Sequence, residues 1–336
     1  MAMRVTICRA AIILSITVVS QLACHSQRSS DTGGTAKPRP LTARKFVRTP
    51  ERLARGSYLV NRVLRCFFCH GPSDVEKPGW PPVPGTEGSG FDNASWGYPG
   101  QVAPNITPDN ETGAGNWTDD MLARAIREGV AHDGHYLDPA VMPYEFYRAM
   151  SDEDLASVIT YIRCIPPVRN PLPPPRTPEG LVTPFAVPIT TFVPQPDLSA
   201  PEKRGAYLVQ IAGCQWCHTL RDKNRRALPG LEFAGGDLIT NPYSEASSAN
   251  ITPDASGISY YDEAQFLKMM RTGKVGARMI SPNMPWWYFG HMTDEDLKAI
   301  FAFLKTVKPV HHRVDNTEPV SYCRVCERKH GAGALN

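Results

Sequence analysis

No stretch of the 336-residue chain holds the roughly 20 consecutive apolar residues that a membrane-spanning helix needs. An excess of charge of one sign is also missing. The 36 Lys and Arg face 33 Asp and Glu, a formal net charge of +3. Such a balance excludes the broad basic surface by which proteins hold nucleic acid, so nucleic acid is not an expected partner. Alternating apolar and polar runs are scarce, which excludes a fold built on a large sheet. What remains is ordinary globular material, 42% hydrophobic and 21% charged, long enough for about two domains.

The N-terminus has the layout of an export signal. Arg4 supplies the positive start, the segment from Ala10 to Val19 is apolar apart from Ser15 and Thr17, and Leu22-Ala23 is a small-residue exit. Residues 1–23 therefore read as a signal peptide. Cys24 follows where bacterial lipoproteins carry their lipid-acceptor cysteine, although Gln21 stands where that pattern usually has Leu. Residues 24–48, rich in Ser, Thr, Gly, Arg and Lys, read as a flexible tether. The expectation is an exported chain, in the periplasm, attached to the membrane through lipid at Cys24.

The rest of the chain is a repeat. Arg55-Gly56-Ser57-Tyr58-Leu59-Val60 returns as Arg204-Gly205-Ala206-Tyr207-Leu208-Val209, and each is followed by CxxCH, at Cys66–His70 and Cys214–His218. Asn105-Ile106-Thr107-Pro108-Asp109 returns at Asn250–Asp254, Met142-Pro143-Tyr144 as Met284-Pro285-Trp286, and Ser151-Asp152-Glu153-Asp154-Leu155 at Thr293–Leu297. Five blocks in one order imply a duplicated domain.

Each copy reads as helices joined by long loops, so the expected class is mainly α. Thr49-Pro50-Glu51 opens a first helix. A middle helix runs from Thr118 to Gly129, matched from about Asp262 to Gly273. A last helix starts at Ser151 or Thr293 and ends before Pro166-Pro167 or Pro309, with one apolar face. Gly56 and Gly205 suggest close contact between first and last helices. Eleven prolines between 166 and 200 indicate an extended connector. The expected division is therefore one domain over 49–165, a linker over 166–200, a second domain over 201–312 and a tail over 313–336.

CxxCH is the attachment site of haem c: two thiols bond the haem vinyl groups, and the adjacent His is the proximal iron ligand. A zinc ribbon, the nearest competitor, spaces its CxxC pairs by about 15 to 20 residues, whereas Cys69 and Cys214 are 145 positions apart. Two covalently bound haems are expected, on Cys66, Cys69 and His70 and on Cys214, Cys217 and His218. Their four propionates would turn the charge balance acidic. The repeat selects Met142 and Met284 as sixth ligands, against the reading that a Met merely fills core. Met150 and Met292 correspond as well but precede helix caps, where an apolar residue serves as a staple. Met279 has no counterpart. His132 and His135 are alternative ligands that would break the repeat. Asn105, Thr107, Asn250 and Thr252 are candidates for bonding propionates or for forming turns.

The order of these blocks, with Asn116-Trp117-Thr118-Asp119 between them, resembles the cytochrome c subunits of bacterial membrane-bound alcohol and gluconate dehydrogenases and related dihaem cytochromes, over roughly residues 50–312. The resemblance implies two tandem class I cytochrome c domains with long loops, His70/Met142 and His218/Met284 ligation, and a place in a periplasmic respiratory chain. Two haem motifs stand where those subunits typically have three. The expected function is electron transfer from a dehydrogenase or quinol-linked donor to a further cytochrome or an oxidase. The alternative is a dihaem redox enzyme of peroxidase or thiosulfate-oxidising type, which needs one iron with an open or unusual ligand; equivalent methionines in both copies favour the carrier.

Cys164, Cys323 and Cys326 are left over. Cys323-Arg324-Val325-Cys326 is followed by Glu327, not His, so it is no third haem motif. With His330 nearby, a small metal site, a disulfide and an unremarkable tail all stand open.

Overall fold

The computed structural model describes residues 37–175, 188–222 and 226–331. The expected signal peptide, Cys24 and the first part of the tether lie outside these residues, as does the connector segment 176–187.

Among the described residues ten α-helices follow one another in two sets of five. In the first set α1 is Pro50–Tyr58, α2 Cys66–Cys69, α3 Asp119–Glu128, α4 Tyr144–Tyr147 and α5 Asp152–Ile162. Their counterparts are α6 Pro201–Ile211, α7 Cys214–His218, α8 Glu263–Thr272, α9 Trp286–Phe289 and α10 Asp294–Thr306. A π-helical turn, Leu59–Val63, continues α1. The described strands form only two-stranded antiparallel hairpins: β1 Phe91–Asp92 with β2 Val102–Ala103, β3 Leu238–Asn241 with β4 Ser244–Ser247, β5 Lys274–Val275 with β6 Arg278–Met279, and β7 Ser321–Tyr322 with β8 Lys329–His330.

Local chemistry sets the helix ends. Thr49 and Ser151 accept hydrogen bonds from the first-turn amides of Arg52 and Asp154, and Thr293 accepts from Asp296. Gly129 (φ 66°) and Gly273 (φ 66°) stop α3 and α8 in the left-handed region. The last helices end at Ile162 and Thr306, short of the prolines that forbid their continuation.

First and last helices of each set pack together, α1 on α5 and α6 on α10. Leu155, Val158, Ile159 and Ile162 face the core from α5, and Leu297, Ile300, Phe301 and Leu304 from α10. Each such side chain contributes on the order of 1.5–3 kcal/mol of transfer free energy. The apolar core runs on through both halves without a break. The crossings are tight because of the two glycines: a Cβ on Gly56 would stand 2.0 Å from the Ser157 carbonyl oxygen, and one on Gly205 1.9 Å from that of Ala299.

The halves are joined reciprocally. Tyr58 donates to Asp296 at 2.5 Å, and Tyr207 donates to Asp154 at 2.7 Å. Each aspartate also holds the arginine of its own half, Arg55 on Asp154 at 2.8 Å and Arg204 on Asp296 at 2.6 Å. Helix α4 packs against α6, and α9 against the π turn after α1.

One expectation fails at the edge. Part of the segment assigned to the tether from its composition lies along α3, where the Arg39 guanidinium meets Asp120 at 2.7 Å and Glu128 at 2.8 Å. Amides of Thr42 and Phe46 donate to Asp120 and Asp119. Composition alone missed this docking because charge pairing and backbone hydrogen bonds supply most of it, with Phe46 the one side chain of the segment that packs against the apolar core.

Alanine favours helix over glycine by about 1 kcal/mol, yet Gly56→Ala and Gly205→Ala should each destabilise the protein by about 3 kcal/mol through the backbone clash. Thermal unfolding followed by circular dichroism tests this; a raised melting temperature in either variant refutes the packing argument.

Candidate haem sites

Each CxxCH begins on a left-handed residue, Arg65 (φ 47°) in the first half and Gly213 (φ 68°) in the second. That turn ends the preceding helix and starts a short new one carrying both cysteines, with His70 at the C-cap of α2 and His218 as the last residue of α7. A non-glycine residue held there costs of order 1–3 kcal/mol. Arg65 is kept in place by its surroundings: its guanidinium donates to the Ala212 carbonyl at 2.7 Å and lies 5.3 Å from the centre of the Phe289 ring. It thus spans the halves.

The two histidines are fixed identically. His70 Nδ1 is 2.8 Å from the Pro104 carbonyl oxygen and His218 Nδ1 2.7 Å from that of Ala249. A carbonyl only accepts, so Nδ1 carries the proton and Nε2 keeps its lone pair. Burial lowers both histidine pKa values, which favours that neutral form. Burial also pushes the Cys66 thiol up to about 12 and those of Cys214 and Cys217 to about 11, with the nearby Arg65 charge offsetting part of the effect. Among the described residues, three or more Cys, His or carboxylate ligand atoms converge in one other place only, and none of these six residues takes part.

Met142 and Met284 sit in matching frames. Each precedes a proline at the centre of a tight turn, Pro143 (φ −78°, ψ 49°) and Pro285 (φ −75°, ψ 55°), closed by Tyr144 N donating to Met142 O at 2.7 Å and Trp286 N to Met284 O at 2.6 Å. The aromatic residue that follows seats on the glycine ending the middle helix: a Cβ on Gly129 would meet the Tyr144 ring at 2.3 Å, and one on Gly273 the Trp286 ring at 2.4 Å. Both methionines are half-buried and border the core, as do Cys66 and Cys214. The Trp286 indole N–H is buried with no partner among the described residues, an unspent donor two residues after Met284. Neutral imidazoles with free Nε2, paired protonated thiols and thioethers bordering the core are a donor set that fits haem c.

The other candidates fall elsewhere. Met150 and Met292 are fully buried core residues, and Met279 is exposed. His132 is exposed and stacks on Trp117 with centroids 4.3 Å apart, and His135 pairs with Asp133 at 2.6 Å. The side-chain atoms of Asn105 are spent within the protein: Oδ1 accepts from Thr107 N and Oγ1, and Nδ2 donates to Thr112 Oγ1 and Val168 O. Asn250 repeats this with Thr252, Ser256 and Val310. These asparagines buckle the strap after each last helix, and their atoms are already used by protein partners.

Sequence reasoning missed Arg65, for which the available signal was its place in the repeat, directly before the first CxxCH where Gly213 stands before the second. It also missed His312, fully buried beside Cys323, Cys326 and His330. Cys164 is exposed and forms no disulfide among the described residues.

No protein-family model matches the chain. Individual relatives do. A dihaem c-type cytochrome of Cereibacter sphaeroides is 29% identical over 266 residues, 73% of this chain and 82% of that protein. The cytochrome c subunit of a quinone-dependent alcohol dehydrogenase from Gluconobacter oxydans is 28% identical over 278 residues, 77% of this chain and 55% of its own length. The chain resembles bacterial dehydrogenase cytochrome c subunits. The cytochrome c subunit of gluconate 2-dehydrogenase from Pantoea cypripedii is 29% identical over 221 residues, 60% of this chain and 50% of that subunit. The chain thus spans about half the length of these two dehydrogenase cytochrome subunits.

Proposed function

We propose that the chain is an exported dihaem cytochrome c that carries electrons from a dehydrogenase or quinol-linked donor to a downstream cytochrome or oxidase. In this reading each half is a class I cytochrome c domain, over 49–165 and 201–312. Haem c, when bound, supplies an iron that gains and loses one electron. Cys66 and Cys69, and Cys214 and Cys217, tie the two groups covalently; His70 and His218 present Nε2, with Pro104 O and Ala249 O fixing the rings. Met142 and Met284 supply the sixth ligands, whose thioethers favour ferrous iron and so raise the potential. The dehydrogenase partner comes from the names of the relatives, and export with a lipid at Cys24 from the N-terminal sequence.

The observation that carries the reading is the duplication of the whole donor set, methionine frame included, about a shared interface. An enzyme reacting at one iron would be expected to differ at that position. Arg65 adds a second point: one buried cation acts on the cysteines of both motifs, so the two sites are close enough to feel the same charge.

Met142→Ala should abolish one of two red-edge charge-transfer bands of ferric Fe–S(Met) bonding, open that site to cyanide and leave two haems per chain. An unchanged spectrum with unchanged potentials would make Met142 core packing, and ready cyanide or peroxide binding by the unmutated protein would favour the enzyme reading. Removing the shared cation with Arg65→Met should lower both midpoint potentials by on the order of 50 mV, the scale of a unit charge acting across a partly shielded interior; a shift at one site alone, measured by redox titration, argues against a shared field. Intact mass of the native N-terminus should show an acylated Cys24, and an unmodified terminus at or beyond that residue removes the anchor.

A further inference from the structure

Four side chains outside the haem sites converge at the end of the chain. The ligand atoms of His312, Cys323, Cys326 and His330 all lie within 4.8 Å of one another. His312 Nε2 is 3.1 Å from His330 Nε2, which is 3.0 Å from Cys326 Sγ. A tetrahedral zinc ion with bonds of about 2.0–2.1 Å to nitrogen and 2.3 Å to sulfur places its ligands roughly 3.3–3.8 Å apart. The cluster is close to that spacing.

The backbone around it is shaped for the purpose. The hairpin β7–β8 brings Cys323 and His330 to its two ends, with Cys323 N donating to Arg328 O at 2.8 Å. Glu327 adopts a left-handed conformation (φ 57°), letting the chain turn between Cys326 and the returning strand. The amide of Val325 donates to Cys323 Sγ at 3.4 Å, a contact that stabilises thiolate charge. From the other side, His312 Nδ1 lies 2.9 Å from the Ala234 carbonyl oxygen, which fixes the tautomer and leaves Nε2 as a lone-pair donor. Gly236 (φ 98°) gives both imidazoles room: a Cβ there would stand 2.7 Å from the Cε1 atom of each ring.

Burial along the tail points the same way. Between residues 313 and 330 the only buried side chains are Cys326 and His330, while Val320, Tyr322 and Val325 are more than half exposed. A two-stranded hairpin with no apolar face is not stable by itself in water. Something other than a core must hold it, and small segments of this kind fold on a metal.

We propose that His312, Cys323, Cys326 and His330 bind one zinc ion as a closed, four-coordinate structural site that clips the tail to the second half. Two thiolates and two neutral imidazoles make a neutral site with divalent zinc, and an S2N2 tetrahedral set is zinc chemistry. Binding releases the two thiol protons to solvent and involves no electron transfer. The ion fastens the strap after α10 to the loop after His218, since His312 reaches Ala234 and the next residue, Gly235, donates to His218 O at 2.9 Å.

Zinc and iron content of the full haem-loaded chain, purified without chelator, decides the matter, and because the metals are counted separately a failure of the haem reading does not touch this one. The expected result is one zinc per chain, with a zinc K-edge spectrum fitted by two sulfurs at about 2.3 Å and two nitrogens at about 2.0–2.1 Å. Zinc should fall at least tenfold in Cys326→Ser and in His312→Gln. The proposal is overturned by absence of zinc with a Cys323–Cys326 disulfide in the peptide mass, by haem bonded to those cysteines, or by zinc with a shell lacking sulfur. The spectrum of the unmutated protein stands alone should either variant fail to fold.

Discussion

Two buried carboxylates organise this molecule. Asp154 and Asp296 sit in the first turns of α5 and α10, where the helix dipole favours negative charge. Each is almost wholly removed from water and must be paired. Each takes an arginine from the first helix of its own half, which fixes how first and last helices meet, and a tyrosine from the other half, which fixes how the halves meet. The tyrosine hydroxyls also accept from the amides of Ser151 and Thr293, the caps of the same helices. A buried ion pair adds little net stability over apolar packing of the same shape, but removing one partner costs several kcal/mol. Its value here is register: it sets where α1, α6, α5 and α10 cross, and the haem-site residues follow from those crossings.

The same geometry reaches the sites through short links. The motif helices α2 and α7 begin within a few residues of the helices so positioned, and α4 and α9, which follow the methionines, pack across onto the opposite half. Tyr288 of α9 stands edge-on to Phe68 of the first motif, with centroids 5.7 Å apart. Each methionine frame is therefore braced twice, by the glycine that ends its own middle helix and by the other half.

Much of this was legible in the sequence because the signals were local. Thr49, Ser151 and Thr293 announced helix starts, Gly129 and Gly273 announced ends, and the role of Gly56 and Gly205 followed from their place in repeated helices. What stayed hidden depended on partners far apart in the chain. Tyr58 and Tyr207 read as members of a repeated block, and nothing in either block says that each serves the opposite copy. Helices α4 and α9, of four residues each, are too short to show periodicity. The asparagines of the Asn-Ile-Thr-Pro-Asp blocks looked free for a ligand, since the strap carbonyls they hold lie about sixty residues on. His312 stood eleven positions before Cys323 and outside any motif.

Gene duplication ordinarily loosens constraint, since one copy can change while the other keeps the original job. The crossed tyrosines remove that freedom here. A substitution at Tyr207 in the second copy is felt at Asp154 in the first, and one at Tyr58 is felt at Asp296. Neither copy can wander far on its own, and a fragment holding one copy would lack the tyrosine that its aspartate takes from the other. The two halves are bound to inherit together.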